Sequence, residues 1–141
     1  MYAGIVVGAD GSETAAEAVK HAAELAKQFG AHLHIVSAYK ATPLDTRGLP
    51  SEMSDAVRGA TLVETLLADL SSRLRPSGIT VSTHAIKGDA ADALLGIAAD
   101  EKADLIVVGN KGMRGARRVL GSIPNTVAHQ APCAVLIVHT R

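Results

Sequence analysis

A basic, glycine-rich stretch near the end of the chain, residues 109–122, has the composition of an anion-binding loop. It contains four glycines and four basic residues, Gly109, Gly112, Gly115, Gly121, Lys111, Arg114, Arg117 and Arg118. Glycines let backbone amides approach an anion without obstruction by a Cβ atom. Ser122 is predicted to begin a helix, whose free N–H groups and positive dipole end attract phosphate. The stretch therefore predicts a phosphate site, although arginines on a solvated loop face would give the same composition.

A polar turn, Asp10-Gly11-Ser12, follows the first apolar run of the chain at residues 4–8. It offers one carboxylate, one hydroxyl and a flexible glycine where a helix is predicted to start. In an open parallel sheet, ligands bind at the carboxyl ends of strands, where the winding direction reverses. Ser12 is expected to cap the helix, and Asp10 either faces a ligand or serves as a turn residue.

The six histidines form no convincing metal site or catalytic centre. His32 and His34 would share a strand face and could bind a metal, but ordinary strand residues fit the same spacing. The others are scattered along the chain at His21, His84, His129 and His139. Neither a GxSxG nucleophile motif nor a GxxxxGK[ST] phosphate loop is present. We therefore expect no dedicated catalytic residues.

These candidate residues are positioned by alternating elements, because short β-branched runs alternate with longer helical patterns along the chain. Such alternation is typical of an α/β fold with a parallel sheet and crossover helices. Strands are predicted over residues 4–8, 32–39, 79–86, 104–109 and 133–139. Helices are predicted between Ser12 and Gly30, over residues 51–75, from an N-cap at Asp89 onward, and over residues 122–130. Both candidate loops then follow strand ends.

The third and last strands are expected at the two edges of the sheet. The third alternates apolar residues with Thr80, Ser82 and His84, so one of its sides is polar, as at a sheet edge. The last run, residues 134–138, is apolar on both faces. Because an unpaired apolar edge invites strand-to-strand association, a homodimer through this strand is predicted. Burial of the run between helices is the alternative.

The composition limits the size of the core and the range of partners. At 141 residues the chain is predicted to form a single domain over 1–141, with one aliphatic core because Trp is absent and only one Phe is present. A formal net charge of zero argues against coating nucleic acid or an anionic membrane surface. The first apolar segment is too short for a signal peptide or a membrane span, so a cytoplasmic protein is expected.

Four segments form a combined pattern that is more specific than any one of them. They are the turn at Asp10-Gly11-Ser12, the helix start at Gly88-Asp89-Ala90, the loop over residues 107–122, and Ala131-Pro132-Cys133 before the last strand. Together they resemble the universal stress protein family along essentially the whole chain. The ATP-binding branch of that family carries a G-x2-G-x9-G-[ST] loop, and here Gly109, Gly112, Gly121 and Ser122 stand in those positions. Eight residues, 113–120, separate the second and third glycines, where the family pattern has nine.

The resemblance implies a fold, a ligand and a set of contacts. The fold is flavodoxin-like, of the adenine nucleotide alpha hydrolase type, with a five-stranded parallel sheet in the order 3-2-1-4-5, helices on both faces and a homodimeric assembly. The ligand is ATP, with any Mg²⁺ or Mn²⁺ held mainly on the phosphates, so the resemblance implies no dedicated metal ligands in the protein. The implied contacts are Gly8, Ala9, Asp10 and Ala38 at the adenine, Val108 and Gly109 at the ribose, and Gly112, Gly121, Ser122 and Ile123 at the phosphates.

The resemblance to this family leaves two other functions open beside ATP-dependent stress signalling. A dimeric interaction protein that binds no nucleotide is one, although that branch of the family typically lacks the glycine loop. A binder of cyclic AMP is the other, because it could use the same adenine and ribose contacts. Slow hydrolysis of ATP is at most incidental, since the sequence shows no general base for the reaction.

Overall fold

The computed structural model describes residues 1–40, 55–110 and 123–139, and the statements below concern these residues. Their strands and helices alternate along the chain as β1 (Gly4–Gly8), α1 (Glu13–Phe29), β2 (His32–Tyr39), α2 (Asp55–Leu74), β3 (Thr80–Lys87), α3 (Ala90–Asp100), β4 (Leu105–Gly109), α4 (Ile123–Gln130) and β5 (Ala134–Val138). A short 3-10 turn, Arg75–Ser77, follows α2. The predicted order of elements is confirmed.

The described strands all pair in parallel, in the order β3-β2-β1-β4-β5. This confirms the predicted fold class, and it places the polar third strand and the apolar last strand at the two edges. The chain winds outward from β1 through β2 to β3, and it then crosses to the other side of β1 for β4 and β5. The carboxyl ends of β1 and β4 therefore flank the point where the winding direction reverses.

Helices cover both faces of the sheet because successive strand residues point to opposite sides. On one face, Ile5, Val7 and Leu33 form a core under α1 and α2. On the other face, Val6 and Ile106 form a second core under α3 and α4. All five of these side chains are fully buried. The two cores are aliphatic, as the composition predicts.

Two predicted helix caps are confirmed, and they fix where the helices begin relative to the sheet. The Ser12 hydroxyl accepts a hydrogen bond from the backbone N–H of Ala15 at 3.1 Å. The Asp89 carboxylate accepts one from the backbone N–H of Asp92 at 3.2 Å. Because α1 follows β1 directly and α3 follows β3 directly, both helix N-termini lie at the carboxyl edge of the sheet.

Candidate functional site

A cleft that is partly open to solvent lies at the carboxyl ends of β1, β2 and β4. Strand ends form its floor, and the first turns of α1, α3 and α4 contribute to its walls. The lining residues are Gly8, Ala9, Asp10, Ser12, Thr14, Ala15, Val36, Ala38, Ala90, Leu94, Val108, Gly109 and Ile123. Most of them are small or aliphatic, so the cleft offers an apolar slot with polar side chains along the turn between β1 and α1.

Strand alternation and backbone hydrogen bonds determine the floor of the cleft. Val36 and Ala38 are two residues apart on β2, so they point to the same face, and both line the cleft. Just beyond β1, the N–H of Ala9 donates to the carbonyl of Val36 at 2.9 Å. Just beyond β4, the N–H of Asn110 donates to the carbonyl of Val138 at 2.9 Å. The ends of the strands are therefore held by the sheet itself.

Asp10 is anchored at the cleft by the residue that caps α1. Its Oδ1 atom accepts hydrogen bonds from the Ser12 backbone N–H at 2.9 Å and from the Ser12 hydroxyl at 2.6 Å. The Ser12 hydroxyl also accepts the bond from Ala15, so one short network joins the turn to the helix. Asp10 is exposed. It is thus both a turn residue and a carboxylate on the cleft wall.

Helix α3 contributes a wall that the sequence did not identify. Ala90 and Leu94 line the cleft, and the leucine lies so close to β1 that a Cβ atom on Gly8 would be 3.5 Å from it. Neither residue was predicted to contact a ligand, although Ala90 lies in one of the four segments of the family pattern. The available signal was the Asp89 cap, since it starts α3 at the carboxyl edge of the sheet, where ligands of parallel sheets bind.

Seven of the ten residues that the resemblance implied line this cleft. They are Gly8, Ala9, Asp10, Ala38, Val108, Gly109 and Ile123. The other three, Gly112, Gly121 and Ser122, lie outside the described residues, as does the rest of the segment over residues 111–122. The strand ends and the start of α4 are therefore brought together, and the roles of these residues toward a ligand remain predictions.

Three histidines meet on one face of β2 and β3, away from the cleft at the carboxyl ends of the strands. The rings of His32 and His34 stack with their centroids 4.2 Å apart, and Nδ1 of His34 lies 3.1 Å from Nε2 of His84. Nε2 of His32 is 2.6 Å from the Ser82 hydroxyl. His34 and His84 meet because parallel pairing in this register brings β3 beside β2 across 50 residues of sequence.

The buried position of His34 favours its neutral form. Burial lowers the pKa of His34 below its usual 6.5, and repulsion from His32 and His84 lowers it further, against an opposing effect of Glu101. Within residues 1–40, 55–110 and 123–139, no group of three His, Cys, Asp or Glu side chains is arranged to hold a metal ion. Hydrogen bonding and stacking account for the described contacts of these rings.

The fold and the cleft define a class of α/β protein that binds ligands at the winding reversal of a parallel sheet. A sequence model of the universal stress protein family matches residues 1–139. The chain therefore belongs to the universal stress protein family.

Similar proteins cover nearly the whole chain. Universal stress protein Rv1636 of Mycobacterium tuberculosis is 41% identical over 143 residues, covering 99% of this chain and 97% of that protein. Universal stress protein MJ0531 of Methanocaldococcus jannaschii is 34% identical over 142 residues, covering 98% of this chain and 82% of that protein. A solved structure of a universal stress protein in complex with cAMP has a TM-score of 0.76 and 35% identity, covering 99% of each chain.

In the part of the chain that the structure describes, no helix combines the length and the apolar character that a bilayer span needs.

Proposed function

We propose that this chain is a single-domain stress or signalling protein that binds ATP in the cleft at the carboxyl ends of β1, β2 and β4. The observation that carries the proposal is the cleft itself, an apolar slot at the winding reversal with helix N-termini around it. A parallel sheet binds nucleotides at this place because strand ends and helix starts converge there. Family membership supports the same conclusion, since a relative at 35% identity was solved with an adenine nucleotide.

The small side chains on the floor of the cleft suit a flat base. Ala9, Ala38 and Gly8 project little beyond the backbone, so the adenine ring would lie against the ends of β1 and β2. Asp10 stands at the edge of this surface, where its carboxylate could accept a hydrogen bond from the adenine amino group. Val108 would contact the ribose from the end of β4.

The phosphates would extend from Gly109 toward the start of α4. Ile123 begins this helix and lines the cleft, and Pro124 in the first turn lacks only an N–H that has no partner within the helix. Gly112, Gly121 and Ser122 would supply further backbone amides and a hydroxyl, as the family loop implies. Mg²⁺ or Mn²⁺ would neutralise the phosphates rather than occupy a protein cage, because phosphate oxygens are preferred ligands of such ions.

Cyclic AMP is the second candidate ligand. The similar protein solved in complex with cAMP favours it, and the adenine and ribose surfaces of the cleft would serve either nucleotide. The two ligands differ in the length and charge of their phosphates, so they place different demands on the segment after Gly109.

Two further parts of the proposal concern assembly and location. We propose that the protein is cytoplasmic. We also propose that it is a homodimer joined through β5, because this edge strand leaves Leu136 and Ile137 exposed by 37% and 44%. Exposed aliphatic side chains on an unpaired edge are the features that a second copy of the strand would cover.

Isothermal titration tests the ligand directly. ATP with Mg²⁺, cyclic AMP and GTP are titrated into protein freed of nucleotide, and we expect ATP to bind most tightly. An Ala38→Phe variant should lose binding because the ring fills the adenine surface, whereas Ala99→Phe, on the exposed side of α3, should keep it. Tighter binding of cyclic AMP would establish the second candidate. No binding of any nucleotide would contradict the proposal and leave a dimeric interaction protein.

A further inference from the structure

Gly109 has a packing reason to be glycine that is independent of any ligand. A Cβ atom built on Gly109 would lie 2.6 Å from Cγ2 of Thr14 and 3.2 Å from the Thr14 carbonyl oxygen. The optimal separation between carbon atoms that are not bonded is about 3.5 Å or more, so the first distance is a clash. The φ angle of Gly109 is not positive, and the backbone there would accept other residues. Thr14 is therefore the neighbour that excludes a side chain at position 109.

Neither partner in this contact can move easily. Thr14 is β-branched and lies in the first turn of α1, where few χ1 rotamers are allowed. Ala18 and Ala22, further along α1, are fully buried against the sheet. Gly109 lies beside Val138 of β5, and the next residue along donates its N–H to the carbonyl of the same valine. A side chain at position 109 would thus push α1 and the end of β4 apart.

The contact joins a wall of the cleft, at the start of α1, to its floor, at the end of β4. In the wall, Ser12 and Thr14 line the cleft, and the serine holds Asp10 in place. In the floor, Val108 and Gly109 line it at the end of β4. A change in the spacing between α1 and β4 would therefore shift the carboxylate of Asp10 and the end of β4 relative to each other.

We propose that Thr14 restricts position 109 of the nucleotide site to glycine, because its methyl group occupies the space that a side chain at this position would need. This inference rests on the proposed function, since it assumes that a nucleotide occupies the cleft. It assigns the requirement for glycine at position 109 to Thr14 and not to close approach of phosphate.

A cycle of three variants tests the proposal, with ATP and Mg²⁺ as the probe and with two measurements for each protein. Affinity is measured by titration, and stability by urea unfolding without nucleotide. Gly109→Ala should weaken binding about tenfold or more, as expected for tightly coupled neighbours. Thr14→Ala removes the clashing methyl group and should weaken binding far less. The double variant should recover most of the affinity, because only the Thr14 carbonyl oxygen at 3.2 Å then remains close.

Gly96→Ala is the matched control. Gly96 lies within α3, away from the lining of the cleft, and a Cβ atom there would meet nothing within 4 Å. The control makes the same chemical change as Gly109→Ala and should leave the affinity unchanged. Any general effect of exchanging glycine for alanine is thereby separated from the contact with Thr14.

Several outcomes would overturn the proposal. Wild-type affinity in folded Gly109→Ala would do so, as would a loss of stability with no loss of affinity, which would mean that the contact is only structural. A double variant as weak as Gly109→Ala would also overturn it.

If Gly109→Ala does not fold, the double variant decides: folded protein with near wild-type affinity supports the proposal, and unfolded protein contradicts it. If the wild type binds no nucleotide, the proposed function fails, and coupling in the unfolding measurements still shows whether the contact exists.

Discussion

Among single residues, His34 is one whose surroundings favour the neutral form. Its side chain is only 4% exposed, and it contacts His32 on its own strand and His84 on β3. Proton uptake would place a charge in this buried position beside two further imidazoles. Glu101, at the end of α3, opposes this cost, because its negative charge favours the protonated form of His34 and raises its pKa.

The lowered pKa of His34 predicts a loss of stability on mild acidification. The unfolded chain takes up a proton as the pH falls through 6.5, whereas the folded chain resists until its lower pKa is reached. The contribution of neutral His34 is therefore fully present above pH 6.5 and declines below it. Urea unfolding at several pH values should show a smaller decline in His34→Leu than in the wild type.

His129→Leu is the control for this experiment. His129 is exposed near the end of α4, outside the cluster on β2 and β3, so its replacement should leave the pH dependence of the wild type in place. An unchanged pH dependence in His34→Leu would show that other groups are responsible.

Among the elements, α3 links the local sequence to the cleft most directly. Its first turn is capped by Asp89, and Ala90 and Leu94 from its first two turns line the cleft. Fraying of the N-terminus of this helix would therefore disturb the candidate site, although Asp89 itself does not line it. The cap and the cleft wall are two consequences of starting one helix at the carboxyl edge of the sheet.

Removal of this cap should weaken both the helix and the site. Asp89→Ala loses the hydrogen bond to the N–H of Asp92 and should cost about 1 kcal/mol of unfolding free energy, as is typical of N-cap replacements. Nucleotide affinity should fall with it, because the wall formed by Ala90 and Leu94 becomes less ordered. Asp89→Ser keeps a capping oxygen and should retain both properties. Equal stability of the alanine and serine variants would contradict this account.

The elements could be predicted from the sequence because their signals are local. Period-2 and helical patterns, with caps such as Ser12 and Asp89, determine where strands and helices lie. The general rule for parallel sheets then located the candidate site at the strand ends. The neighbours of His34 and the fit of Thr14 against Gly109 could not be predicted, because each depends on register and helix docking between segments far apart in sequence.

At the scale of the whole molecule, the two edges of the sheet differ in character. β5 presents exposed Leu136 and Ile137, whereas β3 presents exposed Thr80, Thr83 and Lys87. Charged and polar residues discourage pairing at an edge, and aliphatic residues favour it. Association is therefore expected at β5 and not at β3.

Size-exclusion chromatography with light scattering tests this assignment. The wild type should have the mass of two chains, and Ile137→Lys should have the mass of one, because a lysine would be buried in the interface without a partner. Thr83→Lys, at the opposite edge, should remain dimeric. A wild-type monomer, or a dimeric Ile137→Lys, would contradict assembly through β5.

The central place of β1 has a consequence for the order in which the molecule can fold. β1 pairs with β4 across a hundred residues, as in the pair Ile5 and Leu105, and pairings between such distant segments form slowly because long loops must close first. The cleft exists only once this pairing is made, since Gly8 and Gly109 lie on its two strands. A nucleotide in the cleft would therefore stabilise only chains with a complete sheet, and chains interrupted before β4 would gain nothing from it.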